Sequence, residues 1–382
     1  MASNPMPPAV AALGMAAARE VLGLLACCPV YKPTPLWHLD ALAAELGLGG
    51  VFFKDESYRL GLNSFKALGG VYAIAEILRG RAERETGRTI SPRDLLSDDV
   101  RGIASEMTFA CASDGNHGRS VAAGARLFGA RCVVFLHEGV SAARRDWIAQ
   151  LGADIRIVPG TYDHSVEEAR RESLHRGWTL VPDTAEQSDA EIPHLIMRGY
   201  TVLIDEAIAQ LPRPPTHVFV QAGVGGLAAA VTAYCGNRFG HDAPRIVVVE
   251  PERANCLLES CRSGGLLEIP QTEPTIYAML ECLRPSQPAW DILDTGCDDF
   301  LDVPDALAVP AMRRLAFPTA PDPAIVSGES GATGLAGLLA VCAREVWFDA
   351  LGLSRAATVL LIGTEGATDP EQYERLVGKA PT

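Results

Sequence analysis

Lysine is nearly missing from this 382-residue chain: Lys32, Lys54, Lys66 and Lys379 are its four, and the other 29 of the 33 basic residues are arginine. The formal net charge is −14, and no basic or aromatic-basic stripe offsets that field locally, which excludes nucleic acid as a partner. No apolar run approaches the roughly 20 residues needed to cross a bilayer, which excludes a membrane role. Ten cysteines are scattered without a CxxC pair or a histidine at zinc-finger spacing, so no metal site is expected. They read as buried thiols in a reducing compartment. The first thirty residues carry no basic segment ahead of an apolar one, and the expected location is the cytoplasm. With 48% apolar and 21% charged residues the chain is globular rather than disordered.

Against that scarcity, the place of one lysine is informative. Lys66 sits in Asn63-Ser64-Phe65-Lys66-Ala67-Leu68-Gly69-Gly70, among apolar and small neighbours. A desolvated amine with a lowered pKa is what a nucleophile that attacks a carbonyl requires.

The length exceeds what one core usually supports, so two lobes are expected. Short apolar runs at 51–53, 132–136, 155–158, 217–220, 246–249 and 358–362 alternate with longer helical patterns. Runs apolar throughout, rather than alternating, predict parallel sheets covered on both faces, a doubly wound α/β architecture with open sheets. The Pro/Ala-rich start is expected to be loosely docked, and Arg79 to Arg101, with Pro92, to be a solvated helix and loop. No internal repeat or low-complexity linker marks a boundary.

Three further segments carry chemistry. In His217-Val218-Phe219-Val220-Gln221-Ala222-Gly223-Val224-Gly225-Gly226-Leu227, a strand leads through glycines into a helix start, the build of a phosphate cradle. It lacks the Gly-Lys-Ser/Thr ending of a nucleotide P-loop. The same stretch fits a G-x-G-x-x-G/A dinucleotide fingerprint, with Glu250 ending the next strand, and a plain tight turn is the bland alternative. In Ser113-Asp114-Gly115-Asn116-His117-Gly118, Asn116 can hydrogen-bond a phenolic oxygen, while Asp114 is either a helix N-cap or a proton-trading acid. His117 reads as a structural donor, since no second metal ligand stands at a recognisable spacing. Thr364, after the apolar run 359–362, puts a hydroxyl at the sheet edge where open α/β proteins hold ligands. Ser327-Gly328-Glu329-Ser330-Gly331-Ala332 opens a small-residue helix and is equally a capping turn.

Taken in order, Lys66, the Ser113–Gly118 turn, the glycine cradle and Thr364 resemble the fold-type II pyridoxal-phosphate enzymes, the tryptophan synthase β family. Phe53-Lys54-Asp55-Glu56-Ser57, Gln221-Ala222-Gly223-Val224-Gly225, Ser327–Ala332 and Thr364-Glu365-Gly366 are similar, within it, to the diaminopropionate ammonia-lyases, over roughly residues 31 to 370. The resemblance implies a homodimer, with pyridoxal 5'-phosphate on Lys66 beside Phe65. It places the phosphate on the backbone of Gly223, Val224, Gly225, Gly226 and Leu227, the ring oxygen on Asn116 and the ring nitrogen on Thr364. It also implies a large cofactor-binding domain of residues 1–70 and 179–382 and a smaller, mobile α/β domain of residues 71–178. The implied reaction is β-elimination from 2,3-diaminopropionate or a related β-substituted amino acid, through aminoacrylate to pyruvate and ammonia, with Asp114 and Asp183 binding the substrate amine and moving protons.

The chain departs from that pattern at Glu186-Gln187-Ser188-Asp189, at Met279-Leu280-Glu281-Cys282-Leu283-Arg284 and at Ala367, all in the expected pocket lining. Three other readings stand beside elimination. They are β-replacement to make a new β-substituted amino acid, a nicotinamide-dependent oxidoreductase resting on the Gly223 loop and Glu250, and a catalytically silent protein that kept the cofactor frame.

Overall fold

Strands that are apolar at every position need cover on both sides, and the chain supplies it by following most strands with a helix. The computed structural model describes residues 8–113 and 115–381. Its strands are β1 (Leu36–His38), β2 (Gly50–Asp55), β3 (Thr108–Ala112), β4 (Arg131–His137), β5 (Asp154–Val158), β6 (Thr179–Leu180), β7 (His217–Gln221), β8 (Arg245–Pro251), β9 (Asp299–Val303) and β10 (Thr358–Gly363). Each of the six apolar runs lies in one of them.

A six-stranded sheet has the order β1-β2-β10-β7-β8-β9, and a four-stranded sheet the order β5-β4-β3-β6. β1 pairs antiparallel with β2, and the remaining pairs are parallel. Side chains of the larger sheet alternate between two cores. Phe52, Val218, Val220, Ile246, Val248, Leu360 and Ile362 enter one, with the helix Gly226–Phe239, while Val51, Phe53, Phe219, Val247, Val249, Val359 and Leu361 enter the other, with the helix Thr333–Cys342. The smaller sheet divides likewise, Phe109, Cys111, Val134 and Leu136 facing one way and Ala110, Val133 and Phe135 the other.

Two differences from the sequence reading have physical causes. Within the described residues the N-terminal segment is docked: the helix Met15–Leu25 buries Ala17, Ala18, Val21, Leu24 and Leu25 at helical spacing, the last four of them in the main core. β9 was not expected, because two aspartates interrupt its apolar residues. It is an edge strand, where Asp299 takes a bidentate pair from Arg245 and Asp302 accepts from Asn255.

Parallel strands end at the same edge of a sheet, and that places the functional segments. β2 leads to Lys66, β7 to the glycine loop and β10 to Thr364 at one edge of the larger sheet, while β3 leads to Asn116 and β6 to Asp183 at one edge of the smaller. Among the described residues no helix is long and apolar enough to cross a membrane.

Candidate active site

The path from β2 to Lys66 is anchored by charge. Glu206, on the helix Glu191–Gln210, is 6% exposed and accepts from Lys54 Nζ, Arg59 Nη1 and Arg59 Nη2 at 2.8 Å each, from Tyr31 Oη at 2.9 Å and from Thr34 N at 3.1 Å. Arg59 also grips Glu56 through two 2.8 Å bonds. Two buried cations thus meet two buried carboxylates with every charge hydrogen-bonded, the condition under which such a cluster is tolerated. Downstream, Ser64 bridges Glu365 in antiparallel fashion, and Phe65 N donates to Thr364 O at 3.0 Å. Lys66 therefore starts its helix, Lys66–Thr86, pinned beside Thr364.

The Lys66 amine lies 2.6 Å from Asp183 Oδ2, and both side chains are largely shielded from water. This arrangement reverses the lowered lysine pKa expected from sequence. Burial pulls the amine down, but the Asp183 charge, then Tyr200 and the hydrogen bond to Asp183, outweigh it and hold the ammonium form. For Asp183 burial pushes up, and Lys66, then His117, hold it well below the usual carboxylate range. The pair stores one proton on nitrogen. His117 Nε2 lies 2.7 Å from Val181 O, and since a carbonyl only accepts, Nε2 carries the hydrogen. Nδ1 then faces Asp183 Oδ2 at 4.0 Å without a hydrogen bond. His117 is the structural donor expected, and it also adjoins the acid.

Sequence reasoning missed Tyr200. It projects from the middle of the helix Glu191–Gln210 and packs on Phe65 with ring centroids 4.8 Å apart. Its hydroxyl is buried without a hydrogen-bond partner, and burial pushes it up to about 12. No local motif surrounds Tyr200, and a helical tyrosine far from the lysine in sequence gives no reason to single it out.

After β7 the chain turns at Gly225, whose φ of +98° suits glycine, and enters the helix Gly226–Phe239. A Cβ on Gly223 would stand 2.8 Å from Cys282 Sγ, so a larger residue there would have to displace that side chain. Leu227 is buried beneath the loop, and Val224 O accepts from Ser286 N at 2.9 Å. What remains is a bare backbone turn at a helix start, the build of an anion site. Glu250, on which the nicotinamide reading relied, is spent elsewhere: its two oxygens accept from Leu257 N and Leu258 N at 2.8 Å each and cap the helix Cys256–Ser263. A ribose would find no free carboxylate there.

Thr364 is 4% exposed and accepts from Gln221 Nε2 at 2.8 Å. Asn116, the first residue of the helix Asn116–Phe128, donates to Glu365 Oε2. Around them lies a cluster of charge. Arg144 reaches Glu329 at 3.2 Å, and Arg119 is buried with Nε and Nη2 unpaired and its guanidinium 4.2 Å from the Trp147 ring centroid. Burial, then the Glu329 charge, pushes Glu365 up to about 7. Glu329 and Glu365 belong to motifs visible in the sequence and lie together at the edge of the larger sheet, where Gly328 N donates to Glu365 O at 3.2 Å, while Asn116 and Arg144 come to them from the side of the smaller sheet. Asp114 lies outside the described residues. The segments 186–189 and 279–284 meet through Arg284, which reaches Glu186 at 3.3 Å, and just outside them Gln287 N donates to Ala185 O at 2.8 Å.

Lys66, Phe65, Asn116, Asp183, Gly223 to Leu227 and Thr364 are thus joined by a short chain of contacts. That chain carries buried polar atoms with no hydrogen-bond partner: Tyr200 Oη, Gln221 Oε1, Glu365 Oε1 and the Arg119 donors. Native proteins leave few such atoms unpaired, and this set, with an amine and an anion cradle, fits a polar, phosphorylated aldehyde.

A family model described as "Pyridoxal-phosphate dependent enzyme" matches residues 28–360. The diaminopropionate ammonia-lyase of Escherichia coli K12 is 39% identical over 353 residues, covering 91% of this chain and 87% of that protein. Its counterpart in Salmonella typhimurium LT2 is 38% identical over 376 residues, covering 94% and 91%. The crystal structure of the holo Escherichia coli diaminopropionate ammonia-lyase superimposes with a TM-score of 0.87 at 36% identity, covering 97% of this chain and 93% of that one. Maize serine racemase, at 20% identity and a TM-score of 0.74, shares the fold. Matched by the family model over residues 28–360 and superimposed on a solved relative along nearly its whole length, this protein belongs to the pyridoxal-phosphate dependent enzymes of fold type II.

Proposed function

We propose that this chain eliminates the β-amino group of 2,3-diaminopropionate, or of a close β-substituted relative, and releases pyruvate and ammonia. The observation that carries the reading is the Lys66–Asp183 pair at 2.6 Å within the frame of the glycine cradle and Thr364. Its relatives at 38–39% identity are diaminopropionate ammonia-lyases, and the Escherichia coli enzyme has been solved with an aminoacrylate-pyridoxal-phosphate azomethine and with D-serine.

Pyridoxal 5'-phosphate, when bound, supplies an aldehyde that condenses with amines and a ring that withdraws electrons from the substrate α-carbon. In this reading Lys66 is the point of attachment, with Phe65 beside it. The backbone from Gly223 to Leu227 holds the phosphate, Asn116 the ring oxygen and Thr364 the ring nitrogen. Lys66, with its amine free, would be the base that takes the α-proton of a bound amino acid. Asp183, kept ionised by its cation, holds the substrate's β-ammonium in place of the lysine charge. An amine leaves poorly without a proton, so the bond from β-carbon to nitrogen breaks with its electron pair passing to a nitrogen held protonated by this carboxylate. Asp114 is the second acid of the proposal. Overall, 2,3-diaminopropionate and one water give pyruvate and two ammonia.

We place the cofactor domain at residues 1–70 and 179–382 and the smaller domain, mobile over the substrate, at 71–178. What supports that division is a four-stranded sheet drawn from β3 to β6. A cytoplasmic homodimer completes the proposal.

The test is pyruvate and ammonia release from a panel of β-substituted amino acids, with thiol and amine nucleophiles added in parallel. 2,3-Diaminopropionate is expected to turn over fastest with no nucleophile incorporated. Incorporation would establish β-replacement, and cofactor binding without turnover of any member would leave the silent homologue. Lys66→Ala is expected to abolish both the borohydride-sensitive chromophore and turnover.

A further inference from the structure

A cavity of about 240 Å³ lies between the helix Met15–Leu25 and the helix that Lys66 begins. Arg19, Glu20 and Gly23 line it from the first helix and Glu76 and Arg79 from the second, while Leu24 and Leu95 give it an apolar wall. At 1.5 Å per residue, Glu76 and Arg79 stand roughly 15 and 20 Å along their helix from Lys66. The cavity is therefore separate from the active site.

Two of the arginines here are already paired: Arg79 with Glu76, and Arg198, from the helix Glu191–Gln210, with Glu20. Three donor groups are left over. Arg19 has no hydrogen bond or ion pair among the described residues, and Arg198 Nε is buried without a partner. Tyr72 is 1% exposed, and its Oη is likewise buried without a partner. It shares one helix face with Glu76 and Arg79, at i, i+4 and i+7, and the Arg198 guanidinium lies 6.0 Å from its ring centroid. Burial, then the Glu76 charge, pushes the Tyr72 hydroxyl up to about 12, so it is a donor at neutral pH.

Buried donors are normally met by acceptors. Arg19, Arg79 and Arg198 face Glu20 and Glu76, which leaves one positive charge uncompensated in a chain whose net charge is −14. The complement of this place carries one negative charge, oxygens that accept, and an apolar part to cover Leu24 and Leu95. We propose that the cavity is a second binding site, which takes a small organic carboxylate with its oxygens on Arg19 and the Tyr72 and Arg198 donors. The proposal stands apart from the reaction assigned to Lys66.

Gly23 supplies a variant that separates this site from the active site. A Cβ there would meet nothing within 4 Å, so a longer side chain can enter the cavity without displacing a neighbour, and leucine is the better helix former. Gly23→Leu is expected to fold at least as stably as the native chain and to bind cofactor equally well.

The experiment is a ligand-observed NMR titration of the holoprotein with propionate, with propionamide and inorganic phosphate in parallel. Propionate is expected to bind the native protein saturably, about 10-fold more weakly in Arg19→Gln, and not measurably in Gly23→Leu. Propionamide has the same shape without the charge and is expected to bind about 10-fold more weakly than propionate. Equal propionate binding by native protein and Gly23→Leu would place the ligand elsewhere and overturn the site. Phosphate bound as tightly as propionate overturns the ligand class, since phosphate has no apolar part. No saturable binding of propionate by the native protein, a result that needs no variant to fold, overturns the proposal outright.

Discussion

Replacing Glu206 by glutamine keeps the shape of the side chain and removes one of two carboxylates from a buried cluster that also holds Lys54 and Arg59. Glu206 accepts five hydrogen bonds of 3.1 Å or less, two of them as a bidentate pair from Arg59, and a longer one from Thr34 Oγ1 at 3.5 Å, and an amide has one oxygen with which to accept them. Two routes give the size of the effect. Removing one partner of a buried ion pair typically costs 3–5 kcal/mol, because the remaining charge stays buried. Independently, burial raises the Glu206 carboxyl but Arg59 and Lys54 outweigh it and lower it from 4.5 to about 2, which corresponds to about 3 kcal/mol at neutral pH. The sign follows from the direction. A carboxyl lowered in the fold stabilises above its unfolded value, and that contribution fades as pH falls from 4.5 towards 2. Glu206→Gln is expected to lose 3–5 kcal/mol at neutral pH, about 5 °C in the apparent melting temperature for a chain of this size, and to lose less further stability than the native protein on acidification. Urea unfolding followed by circular dichroism at neutral and acidic pH reads both. A variant within 1 kcal/mol of native at neutral pH, or one whose acid sensitivity equals native, would refute the role given to the cluster.

Asp183→Asn removes the charge that keeps Lys66 protonated, so burial is left to lower the amine. The apoprotein should form a borohydride-trapped adduct with pyridoxal 5'-phosphate faster at neutral pH, while kcat for elimination falls by about 10²-fold or more; equal trapping rates would show that Asp183 does not set the lysine's charge. Gly225→Ala forces a side chain onto φ +98°, with its Cβ 3.1 Å from Leu293 Cδ1, and should cost about 1–2 kcal/mol and weaken cofactor binding, both read by thermal unfolding with and without cofactor. Glu365, pushed up to about 7, is a group whose ionisation the fold opposes, so its contribution is fully present below 4.5 and is lost as pH rises to about 7. Glu365→Gln should flatten that part of the stability–pH curve, and a native-like slope in the variant would place the titration elsewhere.

The difference between what was legible in the chain and what was not has a physical basis. Glycine at 225 answers a local demand, for a positive φ, and local demands are written where they act. The same holds for the apolar runs of β8 and β10, where burial on both faces leaves no exposed position for a polar residue, but not for β5, an edge strand in which Arg156 interrupts the run and Ile157 is 45% exposed. The polar residues around Asn116 read as a turn in the sequence, yet the helix already begins at Asn116, whose amide is taken by Glu365. The electrostatics of the site are different in kind. Lys66 looked like an amine lowered by apolar neighbours because those neighbours are adjacent in sequence. The carboxylate that reverses the outcome is 117 residues away and arrives from the end of β6 in the other sheet. Glu206 reaches Lys54 across 152 residues and Glu365 reaches Asn116 across 249, and nothing in the composition of either neighbourhood announces a partner. A charge at 2.6 Å outweighs several apolar contacts, since Coulomb energy falls only as the inverse of distance and is large in a shielded site. Shape at this site is therefore encoded by short stretches and charge by pairs. Substitutions that act on pairs are the ones whose effects sequence alone would misjudge, and Asp183→Asn is the sharpest instance, because it alone makes Lys66 the low-pKa amine that its own segment promises.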